Sequence, residues 1–367
     1  MRIIFVIKKL ENIAGGAEKV LSIISSELAN RGHEINVISF DNIGSKPFYK
    51  FSSKVELINI DDKRKTIKNK FLLFIYRILI LRKKISLMKP DITVGFMHSI
   101  YILLSLAMLG KKINVIASEH IVPEYYESRK LEYILLNITS FFLKKITVVS
   151  KEVKNKFPFL IRKKMVILPN PINIFKVSQG NNLYKSGKQI LAVGRLSQQK
   201  DQATLIKAFS LLINKFPNWS LKIIGEGPLR SELENLISDL EICDKVSLPG
   251  LSKDIHKDYN LADIFVIPSK FESFGIVTAE AMLYSLPVIG FSDCIGTNKL
   301  IIDNITGLLV QPSQNKVLSL ASAMEKLMKS EKKRLKFGKE GLNRINLYSS
   351  NDIIADKWER FLKKNIN

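Results

Sequence analysis

Residues that could bind a sugar diphosphate lie close together in the second half of the chain. Arg195 ends a predicted strand and Lys200 follows at the next helix entrance. An arginine fork and a lysine point charge are suited to binding and neutralising a diphosphate. Gly275 opens a predicted helix whose N-terminal amides could hold a phosphate. Glu272 and Glu280, on either side of Gly275, could each accept hydrogen bonds from sugar hydroxyls.

The same residue types also have ordinary explanations. Arg195 and Lys200, taken singly, would more often be solvated surface charges, and the segment 225–227 (Gly-Glu-Gly) is common as a plain turn. Glu280 differs, because a carboxylate within the apolar run 277–283 is costly to bury unless it is paired. The pattern therefore favours a functional role for Glu280.

The elements that must position these residues alternate along the chain. Short β-branched runs, seven in the first half and six in the second, are separated by longer amphipathic runs. Strands separated by helices predict parallel sheets, and ligands bind at the carboxyl ends of such strands. Residues 171–187 are irregular and polar, as in a linker. We predict domains at 1–175 and 176–350, with a helix at 351–367 crossing back to the first domain.

An uncharged stretch at 92–110 approaches the length of a transmembrane helix. Its first five residues are typical of a buried parallel strand, and His98 then begins a separate helix. A strand followed by a helix is therefore the preferred interpretation. The apolar run Ile3–Ile7 is too short for the core of a signal peptide, which favours a cytosolic protein.

Composition limits the partners and cofactors. The chain has 57 Lys and Arg against 34 Asp and Glu, and residues 1–180 hold 31 of the basic and 14 of the acidic residues. An anionic partner, such as phospholipid, nucleic acid or a pyrophosphate, is expected on this half. Cys243 and Cys294 form no CxxC pair, so neither a disulfide framework nor a zinc site is expected.

Taken together, the motifs resemble the family 4 retaining glycosyltransferases. The Glu272–Glu280 pair matches the E-x7-E motif of that family, 194–201 matches its phosphate-binding strand end, and 15–18 matches its first-strand glycine loop. The match runs in order over nearly the whole chain. It implies an α/β chain of GT-B fold, with two doubly wound parallel-sheet domains facing each other across a cleft. It also implies retention of anomeric configuration and no metal or cofactor, and the sequence contains no Asp-x-Asp.

The resemblance implies a role for each motif residue. Glu280 binds the donor ribose, Arg195 and Lys200 hold the diphosphate, and Glu272 contacts the transferred sugar. His120 resembles the active-site histidine of the family, although a lone histidine is more often structural. The implied donor-binding residues are Gly15, Gly16, Arg195, Lys200, Glu272, Phe274, Gly275 and Glu280, and the implied catalytic residues are His120, Glu272, Arg195 and Lys200.

One segment departs from the family pattern, and the mechanism stays open. Many members carry Gly-x-x-Glu after the strand equivalent to 287–291, whereas Lys299 stands here where the Glu is expected. Attack on the face from which the diphosphate leaves is preferred. A covalent intermediate, as in retaining hydrolases, would require Glu272 to reach the anomeric carbon.

The most basic stretch of the chain is 63–89, which holds ten Lys and Arg and no Asp or Glu. Lys70, Arg77 and Lys84 would form one stripe on a helix whose remaining surface is strongly apolar. It is either a helix packed on the sheet with basic ends or an interfacial helix on anionic lipid. The stretch resembles the membrane-associated helix of polyprenyl-diphosphate-dependent members, which implies that these three cations hold the acceptor pyrophosphate.

The expected function is transfer of a hexose or N-acetylhexosamine from a UDP-sugar to a polyprenyl-diphosphate-linked oligosaccharide. Enzymes of this kind assemble bacterial surface polysaccharide, such as O-antigen, or protein glycans. The chain itself is expected to be cytoplasmic and peripheral on the inner face of the cytoplasmic membrane. One alternative is a GT-B nucleotide-sugar epimerase, which uses no acceptor. Another is a nucleic-acid-binding protein, which interleaved aromatics on a basic patch would favour. Here the cations lie on an apolar helix instead, so no nucleic acid is expected.

Overall fold

The computed structural model describes residues 1–64, 66–127, 129–172, 188–252, 254–348 and 350–366. The chain divides into two compact units. Unit 1 comprises Met1–Pro171 with Ser350–Asn367, and unit 2 comprises Ile172–Ser349. The predicted linker lies, from residue 173 to residue 187, outside the described residues, and so does the predicted boundary after residue 175.

Unit 1 contains a seven-stranded parallel sheet in the order β3-β2-β1-β4-β5-β6-β7. Ile, Val and Phe dominate the central strands, which are buried on both faces as a parallel sheet requires. The strands are β1 (Arg2–Ile7), β2 (Glu34–Ser39), β3 (Val55–Asn59), β4 (Ile92–Phe96), β5 (Asn114–Ser118), β6 (Lys145–Val148) and β7 (Met165–Ile167).

The first six helices connect these strands. They are α1 (Gly16–Asn30), α2 (Lys70–Met88), α3 (His98–Ala107), α4 (Lys130–Ser140), α5 (Lys151–Lys156) and α6 (Phe159–Lys164). Helix α1 ends before Gly32, whose φ of +87° suits glycine. Helix α3 packs against α2 and α4 and is almost wholly buried.

The uncharged stretch at 92–110 forms strand β4 followed by helix α3, as the preferred interpretation predicted. Within the part of the chain that the structure describes, no helix combines the length and the apolar character that crossing a bilayer requires.

Unit 2 contains a six-stranded parallel sheet in the order β10-β9-β8-β11-β12-β13. Its strands are β8 (Gln189–Val193), β9 (Ser220–Ile224), β10 (Val246–Gly250), β11 (Ile264–Ile267), β12 (Val288–Phe291) and β13 (Gly307–Val310). Its helices are α7 (Gln202–Ser210), α8 (Arg230–Asp239), α9 (Ile255–Leu261), α10 (Ile276–Leu283), α11 (Ile295–Leu300), α12 (Lys316–Met328) and α13 (Glu331–Asn346).

The last helix, α14 (Asn351–Lys364), belongs to unit 1 and packs against α1. Arg31 at the end of α1 forms ion pairs with Asp356 and Glu359 of α14, and Trp358 is buried in the unit. Both units are doubly wound parallel sheets, which confirms the predicted α/β fold class. The seven strands predicted in the first half and the six predicted in the second half are all present.

Candidate active site

Two loops of unit 2 meet where the strand order reverses. Strand β8 lies between β9 and β11, so successive strands are added on opposite sides of it. The loop after β8 (194–201) and the loop after β11 (268–275) therefore leave the sheet side by side. A reversal of this kind opens a crevice at the carboxyl ends of the strands, which is where α/β sheets bind ligands.

Direct polar contacts join these two loops. Gln199 donates from Nε2 to the Phe271 carbonyl at 2.9 Å, and its own carbonyl accepts from the Lys270 amide at 2.8 Å. The Lys200 ammonium forms an ion pair with Glu272 Oε1, and the Ser269 hydroxyl donates to the same oxygen at 2.8 Å. Since both charged side chains are largely buried, the pair is screened less than a surface pair.

Glycines let the backbones and the lysine approach closely at this edge. The Lys200 side chain crosses the end of β8, 3.3 Å from where a Cβ of Gly194 would lie. Gly225, with φ of +148°, leaves no room for a Cβ because the Gly194 carbonyl oxygen would be 2.0 Å away. Glycine at 225 is therefore required by packing as well as by the turn.

Arg195 lies in the loop after β8 with its side chain exposed. Its backbone carbonyl accepts from Gln202 Nε2 at 2.9 Å, which fixes the loop while the guanidinium extends outward. Phe274 is buried beside Tyr348 and anchors the second loop, and Gly275 caps α10 with φ of +79°. The loops therefore present a cation and the first amides of α10 at one edge of the sheet.

Glu280 lies inside α10 and is oriented by an aromatic pair. Tyr259 donates its hydroxyl to Glu280 Oε2 at 2.9 Å, and the ring of Tyr259 stacks on that of Tyr284 at 5.3 Å. The hydroxyl of Tyr284 is hydrogen bonded to His256. Burial, with the Glu280 charge nearby, raises the pKa of Tyr284, so its hydroxyl stays protonated.

The segment after β12 packs on the Glu272 loop. The Gly296 amide donates to the Glu272 carbonyl at 3.1 Å, and a Cβ at Gly296 would lie 2.6 Å from the Phe274 amide nitrogen. Burial raises the pKa of the neighbouring Cys294 thiol to about 11, so the thiol stays neutral. The sequence did not identify this segment as part of the site, because Lys299 stands where the Gly-x-x-Glu pattern of the family has Glu.

In unit 1, His120 follows β5 at the carboxyl edge of the sheet. Its ring stacks on Phe96 with 5.1 Å between centroids, and Phe96 in turn stacks on Trp358 at 6.3 Å. The buried Glu119 carboxylate accepts from the hydroxyls of Tyr101 and Tyr126 and from a backbone amide. Trp358 of α14 therefore supports Phe96, on which the His120 ring stacks.

The environment of His120 keeps its imidazole neutral. Burial lowers its pKa from 6.5 to about 4. Thr147 donates its hydroxyl to Ser118 Oγ at 3.1 Å, and Ser118 is 2.9 Å from His120 Nε2. Because the Ser118 oxygen accepts from Thr147, its own hydroxyl hydrogen can be donated to Nε2 of His120. The ring proton of a neutral His120 then resides on Nδ1. His120 is therefore suited to hydrogen bonding rather than to binding an anion by charge.

The first-strand glycines form the entrance to α1. Gly15 has extended backbone and caps the helix, and Gly16 is its first residue. A Cβ at Gly15 would lie 2.1 Å from Glu18 Oε2. This loop follows β1 at the same carboxyl edge as His120, so unit 1 also groups its predicted site residues at one end of its sheet.

The basic stripe on α2 is divided by an ion pair. Lys70 and Lys84 are exposed, whereas Arg77 donates from Nε to Asp62 at 2.8 Å and stacks on Phe40 at 5.5 Å. Arg64 also pairs with Asp62, at 2.9 Å. Arg77 therefore differs from the two exposed lysines, because its guanidinium is bound to the carboxylate of Asp62.

Among the predicted residues, the structure groups Arg195, Lys200, Glu272, Phe274, Gly275 and Glu280 at the carboxyl edge of unit 2. It places Gly15, Gly16 and His120 at the carboxyl edge of unit 1. The residues that sequence patterns missed are those that orient others: Gln199, Tyr259, Ser269, Gly296, Asp62 and Trp358. Their positions depend on which strands are neighbours, and no local motif marks them.

Two family models match the chain in tandem. The model described as Glycosyltransferase Family 4 matches residues 14–175, and the model described as Glycosyl transferases group 1 matches residues 173–344. The first match covers most of unit 1, and the second covers the loops that carry Lys200, Glu272 and Glu280.

The chain is also similar to individual proteins over its full length. A relative from Campylobacter jejuni is 27% identical across 99% of this chain and 98% of its own length; it is named GalNAc-alpha-(1->4)-GalNAc-alpha-(1->3)-diNAcBac-PP-undecaprenol alpha-1,4-N-acetyl-D-galactosaminyltransferase. The structure of sucrose-phosphate synthase from Thermosynechococcus elongatus is similar with a TM-score of 0.85 at 18% identity, covering 99% of both chains. TarM from S. aureus, solved with UDP, has a TM-score of 0.81 at 14% identity and covers 99% of this chain and 100% of its own.

Proposed function

We propose that this chain transfers a sugar from UDP to a lipid-linked acceptor. The chain belongs to the GT-B glycosyltransferases, with a family 4 domain followed by a group 1 domain. The sugar is a hexose or N-acetylhexosamine, and the acceptor is a polyprenyl-diphosphate-linked oligosaccharide. The Campylobacter relative, whose name contains an undecaprenol-linked diphosphate substrate, supports this acceptor class. The UDP bound to TarM supports the donor nucleotide.

The observation that carries the proposal is the Lys200–Glu272 pair at the strand-order reversal of unit 2. Lys200 and the exposed Arg195 would bind the diphosphate and stabilise its charge as it leaves. Glu280, held by Tyr259, would accept from the ribose hydroxyls. These residues supply the positive charge from side chains, so we propose transfer without a metal or cofactor.

Retention is proposed to proceed on a single face of the sugar. The bond from the anomeric carbon to the UDP oxygen breaks, and the acceptor oxygen bonds to that carbon from the same side. The acceptor proton passes to the departing phosphate oxygen. Glu272 is less suited to act as a nucleophile, because Lys200 and Ser269 both bind its Oε1. Neutral His120 would donate a hydrogen bond to a sugar hydroxyl.

The donor is tested by thermal shift with UDP-, GDP- and ADP-sugars. A specific donor at 100 times its Kd should stabilise unit 2 by about 2.7 kcal/mol, and Glu280→Gln should reduce that gain. Stabilisation by GDP- or ADP-sugars alone would refute the UDP assignment.

Transfer is then measured with a polyprenyl-diphosphate oligosaccharide, and NMR of the product gives the anomeric configuration. An inverted product would exclude retention, and conversion of the donor without acceptor would identify an epimerase.

Lys70, Arg77 and Lys84 are proposed to bind the acceptor diphosphate at the membrane surface, on the inner face of the cytoplasmic membrane. Lys70→Ala combined with Lys84→Ala removes the two exposed cations of α2, so it should weaken use of the lipid-diphosphate acceptor and leave the donor Kd unchanged. Binding to anionic vesicles should weaken by about 1 kcal/mol for each charge removed. Lys332→Ala with Lys333→Ala, two exposed lysines of α13, is the matched control. Equal acceptor turnover in both variants would leave α2 as scaffold.

A further inference from the structure

The carboxylate of Glu119 is buried beside His120, directly after strand β5. The residue is only 1% exposed. Burying a charge is costly unless hydrogen bonds replace the lost water. The proposed mechanism uses His120 but assigns nothing to Glu119, so a reason for this buried charge must lie in the contacts that it makes.

Three donors converge on the two oxygens of Glu119. The Ile121 amide donates to Oε1 at 2.9 Å, the Tyr126 hydroxyl donates to Oε2 at 3.0 Å, and the Tyr101 hydroxyl also donates to Oε2. Burial, together with the charge of Glu119, raises the pKa of both tyrosines, so their hydroxyls stay protonated. An ionised carboxylate, which only accepts hydrogen bonds, matches this set of three donors.

The contact with the Ile121 amide closes a short turn around His120. The side chain of residue 119 reaches over residue 120 and binds the backbone of residue 121. On the other side of His120 the sheet fixes the chain, because the Glu119 amide donates to the Thr147 carbonyl at 2.9 Å. The backbone of His120 is therefore held from both directions, by a strand on one side and by the Glu119 carboxylate on the other.

The two tyrosines fix Glu119 itself. Tyr101 lies in α3, and Tyr126 ends the short 3-10 helix Pro123–Tyr126. Tyr126 is packed in turn against the His98 ring, with 5.1 Å between ring centroids. A glutamate side chain has several rotamers of similar energy, and hydrogen bonds from two separate elements select one of them. Glu119 is therefore rigid enough to hold the turn.

The His120 ring has contacts of its own. Ser118 lies 2.9 Å from Nε2, and the ring stacks on Phe96. These contacts require the backbone at residue 120 to stay in place. His120 is also partly exposed, so it can contact a ligand. With Nε2 bound to Ser118, the Nδ1–H group is the donor that remains, and its direction follows that of the backbone.

From these observations, we infer that Glu119 is a positioning residue for sugar transfer, whose carboxylate fixes the turn that directs Nδ1–H of His120 toward a sugar hydroxyl. The inference rests on the proposed function in one respect, since the hydrogen bond from His120 to the sugar is part of that proposal. A misplacement of about 1 Å can cost about 100-fold in rate, so loss of the carboxylate should lower kcat by about 10- to 100-fold. The donor Kd should stay close to the parental value, because the residues proposed to bind the nucleotide lie in unit 2.

A double-mutant cycle tests whether Glu119 acts through His120. If it does, Glu119→Ala lowers kcat in the parent but has little further effect in His120→Ala, since residues that act as one unit are not additive. Glu119→Gln should keep most of the activity, because its carbonyl still accepts from the Ile121 amide and its amide group can donate to the tyrosine oxygens. Asp263→Asn is the matched control and should leave kcat unchanged. Asp263 is also a buried carboxylate that accepts a backbone amide, but at the amino end of β8.

Two further measurements separate positioning from a loss of fold. Tyr126→Phe keeps the ring and removes one hydroxyl from Glu119, so the cycle is repeated with a variant that leaves the core filled. NMR of the ring nitrogens of His120, assigned by comparison with His120→Asn, reports the tautomer without donor or acceptor. The two nitrogen shifts should be well separated in the parent, as a fixed tautomer requires, and should move together in Glu119→Ala.

The results that would overturn the inference are equally specific. If the losses multiply in the cycles with Glu119→Ala and Tyr126→Phe, Glu119 acts independently of His120. Unchanged ring-nitrogen shifts in Glu119→Ala would show that the carboxylate does not orient the ring. Full activity of His120→Ala would overturn the inference together with the role proposed for His120. A parent without transferase activity would refute the proposed function alone, because the nitrogen shifts would still show whether Glu119 orients His120.

Discussion

The two sheets are both doubly wound, but the side chains at their carboxyl edges make different kinds of contact. In unit 2, Lys200, Glu272 and Gln199 join two neighbouring loops through charged and amide hydrogen bonds. In unit 1, the residue at the equivalent edge is His120, whose ring stacks on Phe96, while Lys70 and Lys84 of α2 are exposed. Hydrogen bonds between the loops of unit 2 fix the groups that must stabilise a developing charge. Exposed cations and apolar side chains on unit 1 are instead suited to a fluid lipid surface.

The largest effect is expected from removing the Lys200 ammonium, which joins the two loops through Glu272. Lys200→Met should lower kcat by about 100-fold or more, because the cation stabilises charge that grows as the diphosphate leaves. Donor Kd should change much less. Single-turnover rates and calorimetric binding separate the two quantities. Lys207→Met, on the adjacent helix α7, is the control. A rise in KM at constant kcat would show that Lys200 only binds.

The second expected effect concerns stability at the edge of unit 1. Arg77→Met leaves the buried Asp62 with Arg64 as its remaining partner, so the free energy of unfolding should fall by about 3 kcal/mol. Asp62→Asn in the same chain should recover part of the loss. Lys84→Met, at an exposed position, should change stability by less than about 0.5 kcal/mol. Urea unfolding measures all three, and equal stability of the two single variants would contradict a structural role for the Arg77 pair.

A smaller effect is expected where an aromatic pair orients a carboxylate. Glu280→Gln should weaken donor binding by about 1.5–3 kcal/mol, since a charge-assisted bond to ribose is lost. Tyr259→Phe keeps the stacked ring and removes only the hydroxyl, so it should cost about 0.5–1.5 kcal/mol. Calorimetry with UDP measures both. If Tyr259→Phe has no effect while Glu280→Gln does, the hydroxyl contact does not position Glu280.

The last expected effect is a pH dependence from His120. Its folded pKa of about 4 lies below the ordinary 6.5, so the unfolded chain binds more protons between these values. The stability associated with neutral His120 is present above pH 6.5 and is lost as the pH falls toward 4. The Tm of the parent should therefore decline more steeply over this window than that of His120→Asn. Parallel Tm curves would show that His120 is solvated and protonates normally.

Much of the architecture was predictable because it depends on local patterns. Alternating β-branched and amphipathic runs predicted the strands of both parallel sheets, and Gly32 marked the end of α1. The spacing of Glu272 and Glu280 depends on one loop and one helix, so the motif was visible along the chain. The cation excess in the first half is likewise a property of composition alone.

The orientation of α4 was not predictable in this way. Periodicity shows that a helix has an apolar stripe, but the neighbours decide which side is covered. Burial of Thr139 and Ser140 beside α3, with Ile134 and Ile138 outside, follows from how three helices pack. The pairing of Arg77 with Asp62 has the same origin, since the two residues meet only when α2 lies beside the end of β3.

Local patterns along the chain specify the order of the elements, the fold class and the residues that carry charge. Which of those charges are matched depends on how the elements pack. Lys200 meets Glu272 because β8 and β11 are neighbours, although 72 positions separate the two residues. Strand adjacency is set by packing of the whole sheet, and an ion pair forms only between groups that this packing brings within a few ångströms.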